Sequence, residues 1–146
     1  RFGCDEAPRY VSWSRQNRSQ LVRIPMVKGD NCRMELRSPD PACNPYLAVG
    51  LVLAAGLDGI EHRMVLQAPI NKNLFDPTEA AGLGLERLPS TLEEAVQAAQ
   101  ESEFLHRVLP EELSHRYYEE ELKRCAALKA AADPAEYERV HYFNAI

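Results

Sequence analysis

Residues 33–47, RMELRSPDPACNPYL, hold the point at which one kind of chain gives way to another. From Arg33 to Arg37 charged and apolar side chains alternate, the period of a half-buried strand. Met34 and Leu36 then share one face, and Arg33, Glu35 and Arg37 share the other. A few residues on, Asn44 is a good helix cap and Pro45 suits a first helical position. Strand chemistry ends and helix chemistry begins inside this one stretch.

Upstream, residues 10–13 and 21–24 read as two further strands, the second stopped by Pro25. The polar run 14–19, SRQNRS, connects them. Residues 28–31, KGDN, are turn chemistry, which predicts a hairpin between the second strand and residues 33–37. Downstream, the helix begun at Asn44 is predicted to reach about Leu66. It is apolar nearly all round at first, so its start is expected to be buried on several sides. Gly50, Gly56 and Gly59 would let other backbones approach it closely. Residues 67–89 read as a long loop with a turn of helix. Ser90 with Glu93 forms a capping box for a helix to about Gln100. A helical turn is predicted over 103–109 and a long helix from Pro110 to about Ala131, with the apolar stripe Leu113, Tyr117, Tyr118, Leu122, Cys125 and Leu128. The pairs Glu112–Arg116, Glu119–Lys123 and Glu120–Arg124 would support it. Asp133, Pro134 and Glu136 open a last helix. The predicted fold class is α+β: short antiparallel strands over about residues 9–37, then a mostly helical layer and a helical tail.

The chain has 146 residues, a formal charge of −5 and 45% apolar residues. That is one domain or a large part of a bigger one. It does not begin with Met, which reads as a fragment. The charge is uneven: residues 1–41 carry eight Lys/Arg against five Asp/Glu, and the remainder is acidic. A basic segment on an acidic chain favours small anions or internal salt bridges over nucleic acid, which would want more Lys/Arg along a surface. Cys4, Cys32, Cys43 and Cys125 have neither zinc-knuckle nor CxxC spacing, so a reduced, intracellular, cytoplasmic setting is expected. The apolar run 46–57 is too short for a membrane span.

Arg15, Arg18, Arg23, Arg33 and Arg37 supply planar donor forks suited to carboxylate and phosphate. Glu35 between Arg33 and Arg37 has two readings on spacing alone: it neutralises them, or it helps hold a divalent cation beside a phosphate. No Walker loop, GxGxxG or GxSxG is present.

The order of these blocks is more specific. EAPRYVSWSRQNRSQLVRIP (6–25) and RMELRSPDPACNPYLAVGLVLAAGLDGI (33–60) strongly resemble the C-terminal part of the catalytic domain of bacterial-type glutamine synthetase. The likeness continues more loosely through NKNLF (71–75), 88–95 and the final helices, so that residues 1–146 read as that portion of the domain. The resemblance implies that Glu35 is a ligand of a catalytic Mg or Mn ion. It implies that Arg37 binds glutamate, that Arg18 acts near the substrate and the γ-phosphate, and that Arg23, Arg33 and Lys28 contact ATP. Glu6 of the Glu-Ala-Pro motif corresponds to a mobile flap acid that helps deprotonate ammonium. Arg1 corresponds to a further substrate-binding arginine. Glu6 and Arg18 are thus the catalytic candidates, and Arg1, Glu6, Arg18 and Arg37 the substrate-binding ones. The implied partners are glutamate, ATP and ammonium, with a ring-shaped homo-oligomer for the whole protein and neither nucleic acid nor membrane. The implied reaction is glutamine formation through γ-glutamyl phosphate, with this segment alone inactive. Phe75 stands where some members carry a regulated tyrosine. The alternatives are a γ-glutamyl ligase for an organic amine and a non-catalytic relative that keeps the fold.

Overall fold

A computed structural model describes residues 6–143, which divide into two units. The first comprises the chain up to Pro41 together with residues 55–90; the second comprises 42–54 and the residues from Thr91 onward.

In the first unit three very short strands make one sheet: β1 (Trp13–Ser14), β2 (Val22–Arg23) and β3 (Glu35–Leu36), in that order. β2 and β3 are antiparallel, with Val22 opposite Leu36 and Arg23 opposite Glu35, so the predicted hairpin is present. β1 and β2 run parallel, contrary to the expected all-antiparallel set. A parallel pair ordinarily needs a long crossover. Here the strands are only two residues each, and residues 15–21 curl back on hydrogen bonds to a neighbouring loop, so the chain re-enters beside Trp13 in the same direction. The predicted strands also shrink: Tyr10 makes an isolated bridge to Arg87, and Arg33 lies outside β3.

Residues 67–74 run beside β1, where the Trp13 indole N–H donates to the Gln67 carbonyl at 2.7 Å and Ile70 N–H donates to the Trp13 carbonyl at 2.9 Å. A turn of helix, α2 (Pro77–Ala80), follows, capped by Asp76, whose carboxyl is held below its ordinary range chiefly by the Thr78 hydroxyl hydrogen bond. Leu74, 1% exposed, is the apolar anchor of this unit. Leu74→Ala is expected to cost about 2–5 kcal/mol; a urea midpoint unchanged from wild type would contradict that burial.

Helix α1 (Pro45–Glu61) begins as predicted, with Asn44 Oδ1 accepting from Tyr46 N–H at 3.0 Å and Leu47 N–H at 3.3 Å. It ends at Glu61 rather than near Leu66, because Arg63 turns left-handed at φ 50°. Met64 N–H then bonds the Gly59 carbonyl and Arg63 N–H the Ile60 carbonyl, the paired closure that stops a helix. No residue of α1 is buried, contrary to expectation. Tyr46, Val49, Leu53, Leu57 and Ile60 form an exposed stripe at helical spacing. Hydropathy records which side chains favour cover, not whether a described element supplies it. Likewise, a side chain built at Gly50, Gly56 or Gly59 would meet nothing within 4 Å, so no described backbone makes the expected close approach.

The second unit packs α3 (Leu92–Gln100), α4 (Glu103–Val108), α5 (Glu111–Ala130) and α6 (Pro134–Glu138). The α3 cap is Thr91, one residue past the predicted Ser90, its hydroxyl accepting from Glu94 N–H. Asp133 caps α6 as predicted. On α5 the buried line is Tyr118, Glu121 and Cys125, while Leu113, Tyr117 and Leu122 are exposed. Its Lys and Arg pairs include Glu120–Lys123 and Glu121–Arg124, at i,i+3 rather than the expected i,i+4, while His115 lies 3.5 Å from Glu119 at i,i+4. Lys129 pairs with Glu93, tying α5 to α3. Burial pushes the Cys125 thiol up, which keeps it protonated. No helix among the described residues is long and apolar enough to cross a membrane.

Candidate active site

The antiparallel register sets Arg23 directly opposite Glu35. Arg23 Nη1 donates to Glu35 Oε2 at 2.8 Å, and Arg23 Nε donates to the Gln16 carbonyl at 2.9 Å, so the guanidinium is held at both ends. From the other side Arg33 reaches Glu35 Oε1, with Nε at 3.2 Å and Nη2 at 3.0 Å, and its Nη1 donates to the Asn31 carbonyl at 3.2 Å. Glu35 is therefore a bridge between two cations. The Arg23 hydrogen bond, followed by the smaller contribution of Arg33, holds its carboxyl below the usual range despite partial burial.

Arg37 stands apart from this triad. Its backbone N–H donates to the Leu21 carbonyl, and its side chain is only 18% exposed. Nη2 lies 3.9 Å from Glu6 Oε2, an ion-pair distance too long for a hydrogen bond. Nη1 is buried without a hydrogen-bond partner among the described residues. A buried cationic N–H left without an acceptor is costly, and an anion is its natural complement.

The structure thus joins Arg23, Arg33 and Glu35, and brings Glu6 to Arg37. Arg18 is exposed on the 15–21 loop and Lys28 is exposed before a 3₁₀ turn at Gly29–Asn31; no contact joins either to the triad among the described residues. Arg1 lies outside the described residues. The triad sits on an open surface: a groove of about 700 Å³ lined by Asn44, Leu113, Arg116, Tyr117 and Arg124 belongs to the second unit and includes none of these residues. Among the described residues no three His, Cys, Asp or Glu gather as metal ligands. Both oxygens of Glu35 are engaged by arginines, so the described residues do not by themselves fit a metal site.

Sequence reasoning missed the residues that fix this geometry. Residues 14–19 read as a polar connection and Gln20 carried no reading, yet Ser14, Ser19 and Gln20 are among the most buried side chains of the described residues. The only sequence signal was the density of hydrogen-bonding side chains in 14–20.

The fold is α+β, and its first unit clusters two arginines about one carboxylate. Its kinship is more particular. The family model for the glutamine synthetase catalytic domain matches residues 3–140, and the chain belongs to that family. It is 43% identical to glutamine synthetase of Methanosarcina mazei over 136 residues, which is 92% of this chain and 30% of that protein. It is 40% identical to the Staphylococcus aureus enzyme over 114 residues, 77% of this chain and 26% of that protein. Among solved structures it is similar to a GmaS/ADP complex, with a TM-score of 0.74 and 32% identity over 94% of this chain and 30% of that one. The chain spans about 30% of the length of these relatives.

Proposed function

We propose that this chain is the C-terminal portion of the catalytic domain of an ATP-dependent glutamate–ammonia ligase, working in the cytoplasm as part of a larger ring-shaped homo-oligomer. In this reading the γ-carboxylate of glutamate attacks the γ-phosphorus of ATP, and ADP leaves. Ammonia then adds to the acyl carbon of γ-glutamyl phosphate and phosphate departs, giving glutamine. The observation that carries it is Arg37, whose largely sheltered guanidinium keeps a buried N–H without an acceptor among the described residues, beside the exposed acid Glu6. A substrate carboxylate would fill that vacancy, and Glu6 would take a proton from ammonium. Arg23 and Arg33, splayed by Glu35, are the nucleotide-phosphate contacts, with Lys28 and Arg18 joining them on the bound nucleotide; Arg1 is a further substrate contact. Spread phosphoryl charge is stabilised by such preorganised donors. The ADP of the similar solved structure agrees with nucleotide use.

Glu35 is proposed as one ligand of a Mg or Mn ion whose remaining ligands lie on other segments. The ion would neutralise phosphate charge, and no step here runs through it. With one carboxylate to offer and the apolar stripe of α1 uncovered, the chain alone is proposed to be inactive.

The test is product formation by the complete subunit that carries this segment, given glutamate, ATP, magnesium and ammonia. Glutamine is the expected product; its absence with every amine would favour the scaffold reading. A γ-glutamyl ligase for an organic amine is the second reading, favoured by the likeness to GmaS, a protein that is not called a glutamine synthetase. Replacing ammonia by methylamine or ethanolamine separates the two.

A further inference from the structure

The least exposed side chains of the first unit are mostly polar. Ser14 and Gln20 are fully shielded and Ser19 is 2% exposed, alongside Leu74. Ser19 and Gln20, with Asn17, close on one main-chain atom. The Lys72 carbonyl accepts from Asn17 Nδ2 at 2.7 Å and from Gln20 Nε2 at 3.0 Å, and the Ser19 hydroxyl lies 3.3 Å from it. Asn17 Oδ1 in turn accepts from Ser19 N–H at 2.9 Å and from the Ser19 hydroxyl at 2.8 Å, which fixes the amide's orientation. Ser19 Oγ accepts from Leu74 N–H at 2.8 Å, and Asn17 N–H donates to Ser14 Oγ at 2.9 Å.

Between the two fastened residues stands Arg18, exposed and without a side-chain partner among the described residues. We propose that Asn17, Ser19 and Gln20, closed on the Lys72 carbonyl, are positioning residues that hold Arg18 in place for γ-glutamyl phosphate formation. The inference rests on the role proposed above for Arg18. Its physical content is that the backbone at 18 cannot tilt without breaking bonds on both flanks. Gln20 Oε1 is buried without a partner among the described residues, but the donors and acceptors that close on Lys72 and on Ser19 are matched, and such a shielded network fixes one geometry where apolar packing would allow several. A long side chain on an otherwise free loop would have to be ordered during each reaction; here the loop is ordered beforehand.

The experiment is a double-mutant cycle in the complete subunit, following γ-glutamyl product. Asn17→Ala is expected to lower kcat by about 10–100-fold and to raise KM for ATP no further than Arg18→Ala does. In an Arg18→Ala background the same substitution should cost nothing further, because its effect is exerted through Arg18. An equal loss in both backgrounds, or no loss beside an intact Arg18, overturns the proposal. Asn17→Asp keeps the acceptor for Ser19 but sets a carboxylate oxygen against the Lys72 carbonyl in place of the amide donor, and it carries the same cycle should Asn17→Ala not fold. A wild-type subunit that forms no γ-glutamyl product overturns the functional reading itself. An active one with additive losses overturns the clamp alone.

Discussion

Replacing Glu35 with glutamine is expected to lower turnover of the complete enzyme on the order of 1000-fold. Glu35 is the only acid that engages both Arg23 and Arg33 among the described residues. Glutamine keeps the shape but removes the charge and one acceptor oxygen, so two guanidiniums would face each other across a group that can satisfy only one. Both would swing from the positions proposed for nucleotide phosphate. A measurement of ATP KM and of the magnesium concentration for half-maximal rate separates two roles. If Glu35 serves only the arginines, ATP binding weakens and the magnesium requirement stays put. If it also ligates the ion, the magnesium requirement rises as well. Wild-type turnover would refute both. The same residue has a pH signature. Its folded carboxyl titrates below the ordinary value because Arg23, and secondarily Arg33, favour the anion. The stability this contributes is full above the ordinary carboxylate range and is lost as pH falls through the depressed value. Glu35→Gln should remove that dependence from an acid-unfolding curve.

The second large effect is at Arg37. Arg37→Met is expected to reduce kcat/KM for glutamate on the order of 100-fold or more while leaving ATP KM near wild type. Methionine fills much of the same volume, so the loss reports the missing fork rather than a cavity. The prediction depends on Nη1 being buried and unmatched. A guanidinium already satisfied within the chain would have no free N–H to offer a ligand. Unchanged glutamate kinetics would show that the buried N–H serves the fold alone. Arg37→Lys should recover little, since a single ammonium cannot reproduce planar two-point recognition.

How far these features were legible in the residues depends on the distance over which each is decided. Asn44 and Asp133 announce helix starts because a cap acts within one turn, and both do so in the structure. Ser90 and Thr91 offer two hydroxyls in succession, and the chain uses the second. The end of α1 was not legible, because Arg63 takes a backbone conformation more usual for glycine. The strand pairings were decided elsewhere. Nothing in residues 10–24 states that β1 and β2 run the same way; that follows from where the 15–21 loop is fastened, more than fifty residues along the chain. The site divides similarly. Arg33 beside Glu35 could be read from alternation, but the second arginine on Glu35 is Arg23 and not the Arg37 that alternation offered. Arg23 as the second partner required the register of β2 against β3. The polar core beneath Arg18 was hidden by its chemistry, since serine, asparagine and glutamine in a row describe a solvated loop as well as an internal network.

That the hub of this network is a peptide oxygen has a consequence for how the segment tolerates change. The side chain at position 72 is exposed and contributes nothing to the hub, so lysine there can be exchanged for most residues without disturbing the loop opposite. A one-residue insertion or deletion between 70 and 74 would be another matter. It would slide a different carbonyl under Asn17 and Gln20 and carry the Leu74 amide away from Ser19, altering the loop that bears Arg18 while leaving every residue of that loop unchanged.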